Sequence, residues 1–206
     1  MPEVPLFLVR HSVRHDECPR DTPAIPYEAI PCPRYDVPIT SRAIPLAQKA
    51  AKEHIINLHQ THAFRVIYSS PFIRCVHTAV EIAVCLSIPE VCIIPSLGHC
   101  AAAAQEGLMV YPENFLPLDA LQRLLVRERE VTLTLSPMYP PSASYEQAVR
   151  GLVRDHAGKV TGVLAVSHRE GFMNMLGRRF LVPYCAVVRW DVCPTSNAWK
   201  MGEMLH

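Results

Sequence analysis

Leu6-Phe7-Leu8-Val9-Arg10-His11 is the stretch that decides the fold. Four consecutive apolar residues end abruptly on two polar ones. Side chains of a strand alternate between its faces, so a run apolar at every position suits a strand covered on both sides. Two later stretches repeat the pattern. Phe64 to Tyr68 leads into Ser69-Ser70-Pro71-Phe72-Ile73-Arg74, and Val163-Leu164-Ala165-Val166 leads into Ser167-His168-Arg169. Between them lie segments of helical spacing. Leu46, Ala47, Ala50, Ala51, Ile55 and Leu58 share one face over residues 43–59, and Val76, Ala79, Val80, Ala83 and Val84 share another. Alternation of strand and helix predicts an α/β fold, a three-layer α/β/α sandwich around a central, mostly parallel sheet.

Outward from these stretches, Ser70-Pro71 predicts a helix start, with serine as N-cap and proline in the first turn. Residues 91–94 read as a third strand, 116–129 and 144–156 as helices, and Gly158 as a stop for the second of these. Residues 169–177 read as a short helix, and 187–190 and 198–201 as closing strands. Seven prolines between Pro19 and Pro45 exclude a regular helix there and predict a Pro-rich loop at about 18–40. A second irregular stretch covers 136–144.

The 206 residues suit one domain spanning 1–206, and a chain half hydrophobic and 19% charged suits a globular enzyme. A net charge of +1 argues against broad nucleic-acid or anionic-membrane binding, so any anion site must come from a few local arginines. Eight cysteines without a C-x-x-C pair, and no basic segment ahead of the first apolar run, predict a cytoplasmic protein with reduced thiols and no zinc knuckle.

Ligands of parallel α/β sheets sit beyond the carboxyl ends of the strands. The three segments would therefore bring Arg10, His11, Arg14, Arg74 and His168 to one edge. Arginine presents a planar donor fork that matches phosphate and stays charged. A neutral imidazole beside such a pocket can attack phosphorus, and a second can stabilise the transferring group. The arginines do the neutralising, so this chemistry calls for no metal or other cofactor.

The elements Arg10-His11, Asp36-Val37-Pro38-Ile39-Thr40, Ser69 to Ala79 and Val166-Ser167-His168, in that order, resemble the histidine phosphatase superfamily, of phosphoglycerate-mutase-like fold, from Phe7 to about Trp190. The resemblance implies that His11 becomes phosphorylated and that Arg10, Arg74 and His168 complete the phosphate pocket. Arg14 and the Arg74-Cys75-Val76 continuation resemble the phosphatase branch of the ubiquitin-associated and SH3-domain suppressors of T-cell signalling. The implied activity is metal-independent phosphomonoester hydrolysis on a phosphorylated small molecule or phosphopeptide, with neither nucleic acid nor membrane as partner. The alternatives are a phosphoglycerate mutase-type phosphotransferase and a non-catalytic phosphate-binding module. Two positions depart from the family. Ser12 stands where glycine is usual, and its hydroxyl is a candidate phosphate contact. The usual glutamate after the third strand is missing, which makes His99 the candidate proton donor and Glu106 the alternative. Tyr27 and Tyr35 are candidates for the pocket mouth.

Overall fold

A computed structural model describes residues 4–126, 129–136, 141–157, 162–193 and 198–206. The chain begins with β1 (Val4–Arg10) and a long loop broken by 3-10 turns. Helices α1 (Ile44–Ala50) and α2 (Ile56–His62) follow, joined through a π turn at Ala51–Ile55. Next come β2 (Val66–Ser69), α3 (Ile73–Leu86), β3 (Glu90–Ile93) and the short α4 (Ala102–Gln105). Helix α5 (Leu118–Leu121), extended by a π turn at Gln122–Val126, precedes β4 (Thr132–Leu135). The chain closes with α6 (Tyr145–His156), β5 (Val163–Ser167), α7 (Arg169–Leu176), β6 (Val187–Val192) and β7 (Trp199–Leu205).

The strands form one sheet in the order β4-β3-β2-β5-β1-β6-β7. It is parallel from β4 to β1, and β6 and β7 add an antiparallel edge. Strand β1 is apolar throughout because it feeds two cores. Phe7 and Val9 pack with Val76, Ala79 and Val80 of α3 on one face. Leu6 and Leu8 pack with Val149 and Leu152 of α6 and Phe172 of α7 on the other. All four are at most 1% exposed, and burying each contributes about 1.5–3 kcal/mol. The sheet is therefore sandwiched between α1–α3 with α5 and α6–α7, as the alternating pattern predicts.

The differences from the sequence reading have local causes. Strand β4 was not expected, since Thr132 and Thr134 break its apolar run and it lies at the sheet edge, half-exposed. The helix expected over 116–129 is shorter. Beyond it, Arg129 donates to buried Glu81 of α3 at 2.5 Å, and Gln48 of α1 donates to the same carboxylate at 2.9 Å. Burial pushes the Glu81 carboxyl up, but hydrogen bonds from His77, Arg129 and Gln48 outweigh it and bring it down to about 2. Helix α3 starts at Ile73 rather than at Ser70-Pro71. Its first amide is capped across space by Asp36 of the Pro-rich loop, Ile73 N donating to Oδ1 at 2.8 Å. Helix α6 has the reciprocal Ser144–Gln147 capping box. Gly158 and residues 137–140 of the second irregular stretch lie outside the described residues. Among the described residues no helix is long and apolar enough to cross a membrane.

Candidate active site

Register puts the chemistry in one place. Arg10 of β1 pairs with Ser167 of β5, and Ser69 of β2 pairs with Val166. Just past those pairs, the His11 amide donates to Ser167 O at 3.0 Å and the Ser70 amide to Val166 O at 3.1 Å. Three neighbouring strands thus end level, and His11, Ser70 and His168 follow them directly. His11 and His168 are 4% and 1% exposed, with ring centroids 5.4 Å apart.

Hydrogen bonds fix which nitrogen of each ring carries the proton. His11 Nδ1 lies 2.8 Å from Ser12 O. A carbonyl only accepts, so Nδ1–H donates and Nε2 holds a free lone pair. Arg74 Nη2 lies 3.2 Å from His168 Nδ1. A guanidinium only donates, so Nδ1 accepts, and Nε2–H donates to Ser70 Oγ at 2.8 Å. The serine expected to cap α3 instead orients His168.

The cations are held as firmly. Arg74 is 5% exposed, lies 4.3 Å over the Phe72 ring and stands 3.8 Å from Asp36 Oδ1. Arg10 donates from Nη1 to Val182 O at 2.6 Å and stacks 3.7 Å over the Tyr184 ring. Cys185, in a left-handed conformation (φ 57°), donates its amide to Arg10 O at 3.1 Å, so the turn before β6 grips both ends of Arg10. The Nε atoms of Arg10 and Arg74 are buried with no hydrogen-bond partner among the described residues. Buried donors of this kind call for an acceptor, and an anion supplies one. Arg14 is bound at Nε and Nη2 by both oxygens of Asp16.

Burial, and then the nearby Arg74 charge, hold both imidazoles well below the usual histidine pKa. His11 is therefore neutral at neutral pH, and its Nε2 lone pair is available as a nucleophile. Burial pushes the Asp36 carboxyl up to about 7, against the opposing pull of Arg74 and the Ile73 amide.

Arg10, His11, Arg14, Arg74 and His168 all line one cavity of about 280 Å³. Its mouth is formed by Arg34 and Tyr35 of the Pro-rich loop, by Ala101, Ala102, Ala103, Glu106 and Leu108 around α4, and by Glu17, Arg169 and Glu170. His99 lies elsewhere. It lines a separate cavity with Gln105, Tyr145 and Asn174. Of this pair, Glu106 lines the cavity of His11 and His99 does not, and Glu17 and Glu170 line that cavity as well. Tyr35 reaches the mouth as expected, whereas Tyr27 holds His15 from outside, its hydroxyl 2.8 Å from Nδ1.

Ser12 does not contact the pocket through its hydroxyl. Ser12 Oγ donates to Ala43 O at 2.8 Å and Ser12 N donates to Thr78 Oγ1 at 3.0 Å. Its backbone is not in the left-handed region, so serine meets no strain where the family has glycine. The sequence signalled Asp36 and Ser70 only as parts of larger motifs, and gave no sign of Tyr184 or Val182.

Gly171 is the glycine this site requires. A methyl group there would lie 2.5 Å from Tyr145 Cζ, and the Gly171 amide donates to His168 O at 3.0 Å. Gly171→Ala is expected to cost about 1–3 kcal/mol. Displacing the first turn of α7 also moves His168, so activity should fall further than the loss of folded protein explains. Thermal melting and kcat measured on the same sample separate the two effects.

By sequence the chain has no significant match among curated proteins. Its fold is shared with solved phosphatases of low sequence identity. Ecdysone phosphate phosphatase of Bombix mori, solved with tungstate, aligns at TM-score 0.65 and 19% identity over 97% of this chain and 92% of its own. Phosphoserine phosphatase of Entamoeba histolytica aligns at TM-score 0.50 and 16% identity, over 97% and 95%. A mycobacterial glucosyl-3-phosphoglycerate phosphatase aligns at TM-score 0.54 and 14% identity, over 96% and 97%. The family model of the histidine phosphatase superfamily, branch 1, matches residues 6–198, and the chain belongs to that superfamily.

Proposed function

We propose that the protein hydrolyses phosphomonoesters without a metal, through a phosphohistidine on His11. The observation that carries this reading is the free Nε2 of a neutral His11 in a pocket with Arg10, Arg14 and Arg74. In the first step the Nε2 lone pair attacks phosphorus and the bond from phosphorus to the ester oxygen breaks. The leaving oxygen takes a proton from the acid form of Glu106. In the second step water attacks phosphorus, gives its proton to the Glu106 carboxylate, and the P–N bond breaks. Inorganic phosphate leaves and His11 regains its lone pair. Arg10 and Arg74 bear the charge of the transferring group throughout. With Nδ1 on Arg74 and Nε2–H on Ser70, His168 holds that guanidinium against the transferring group as charge develops.

The test is turnover of an aryl phosphate in the presence of a chelator, with denaturing alkaline quenching during turnover. Expected are release of phosphate and trapping of an acid-labile phosphoryl group at His11. Full dependence on an added divalent metal, or no turnover across a broad panel of phosphoesters, would sink the proposal. Glu106 has its own signature. Glu106→Gln is expected to slow hydrolysis of an alkyl phosphate by about 10²–10⁴-fold. Nitrophenyl phosphate, whose leaving oxygen needs little help, should slow far less. Equal losses on both substrates would remove Glu106 as the donor.

A further inference from the structure

We propose that Arg34 is a specificity residue, selecting phosphomonoesters whose apolar leaving group carries a second anionic group. The inference rests on the phosphomonoester-binding pocket proposed above and adds the class of molecule it takes.

The pocket arginines differ in how they are occupied. Arg74 faces Asp36, Arg14 is clasped by Asp16, and Arg169 contacts Glu170. Arg10 donates to the Val182 carbonyl. Arg34 alone among the five has no oxygen partner among the described residues. It is exposed, and its contact is with the neighbouring Tyr35 ring, 5.4 Å from centroid to Cζ. The buried end of the cavity already has two arginines and two histidines for the phosphoryl group, so Arg34 is surplus to that task.

The space between these ends has its own character. A cavity of about 280 Å³ exceeds what a phosphoryl group fills, and beside the carboxylates of Glu17, Glu106 and Glu170 its lining offers Tyr35, Ala101, Ala102, Ala103 and Leu108, the last 40% exposed. Ligand sites combine apolar walls with a few placed polar groups that fix orientation. Here the wall suits a flat apolar leaving group. The unengaged guanidinium on the same mouth suits a carboxylate or phosphate on that group, since its fork pairs with either.

The experiment uses ligands that cannot be hydrolysed. Benzylphosphonate is compared with its meta and para carboxylates and with a bisphosphonate analogue, by calorimetry on the wild-type protein and Arg34→Ala. A partly exposed ion pair is worth up to about 1 kcal/mol, or about five-fold. At least one doubly anionic ligand should bind the wild type about 2–5-fold more tightly than benzylphosphonate. The advantage should vanish in Arg34→Ala and narrow at high salt, because exposed pairs are screened. Affinity for benzylphosphonate itself should not change. The meta, para and bisphosphonate arms show whether a carboxylate or a phosphate is preferred. Equal binding of all ligands to the wild type would overturn the proposal, as would an advantage that survives Arg34→Ala. If none of the ligands binds, both this inference and the pocket reading fall. If the ligands bind as expected while aryl phosphates are not turned over, Arg34 keeps its role and only the hydrolysis step is wrong.

Discussion

Alanine in place of His11 is expected to leave a folded protein that still binds inorganic phosphate but turns over an aryl phosphate at least about 10⁴-fold more slowly. The reason is the absence of a substitute nucleophile. His168 is the other imidazole in the cavity, but both its nitrogens are committed, Nδ1 to Arg74 at 3.2 Å and Nε2 to Ser70 at 2.8 Å. The nearby thiol of Cys75, 3.5 Å from His168 Nε2, is pushed up by burial and stays protonated. Phosphate binding survives because the arginines are anchored independently of His11, through Val182, Tyr184, Asp36 and Phe72. Three measurements decide the matter: kcat on nitrophenyl phosphate, calorimetric phosphate binding, and a melting curve. A variant that keeps turnover within ten-fold of wild type would exclude a phosphohistidine on this residue.

Arg74→Ala is expected to lower kcat/KM by about 10³-fold and to weaken phosphate binding as well. Arg74 supplies a buried charge to the pocket and fixes His168 through Nδ1. It also faces Asp36, whose Oδ2 has no hydrogen-bond partner among the described residues. Removing the guanidinium takes away one of the influences that pull the Asp36 carboxyl down from its burial-raised value, so that value rises above about 7. A carboxyl whose folded pKa exceeds its unfolded one favours folding most when protonated, below the unfolded pKa near 3.8, and that contribution is lost as pH rises through the folded value. Below about pH 7 the carboxyl is protonated in both folded proteins, so the variant should lose stability relative to wild type only as pH rises above about 7. Adding Asp36→Asn should flatten that slope without restoring activity. Denaturant melts across pH and kinetics on the double variant check both statements. A slope unchanged by Asp36→Asn would show that the carboxyl is not its source.

The histidine and arginine positions were legible because each follows a run whose period is unmistakable. The strands at 6–9 and 163–166 are apolar at every position, and the residues after them can only emerge at the sheet edge. Edges and caps were not legible in the same way. Strand β4 carries two threonines and exposed positions, so no face of it reads as core until β3 is placed beside it. Ser70-Pro71 looked like a local helix start. The true cap is Asp36, 37 residues before Ile73, and no window along the sequence connects the two.

The acid position shows the same limit. Counting from the third strand put His99 near the acid position, but His99 lines a separate cavity with Gln105 and Tyr145, whereas Glu106 lines the cavity of His11. Ser12 is the opposite case. The identity of the residue suggested a phosphate contact, and only the packing of the segment that leads into α1 supplies Ala43 O as the partner that turns the hydroxyl away.

The sequence by itself determined the layered α/β architecture, the three strand ends and the imidazoles and guanidiniums that gather there, because hydrophobic period and residue chemistry are local properties. Tertiary structure decided which nitrogen of His11 is free, which serine orients His168, that Glu106 rather than His99 lines the cavity of His11, and which arginine of that cavity has no oxygen partner among the described residues. Each of these depends on a hydrogen bond or a cavity wall contributed by a distant segment, and such partners exist only once the chain has folded.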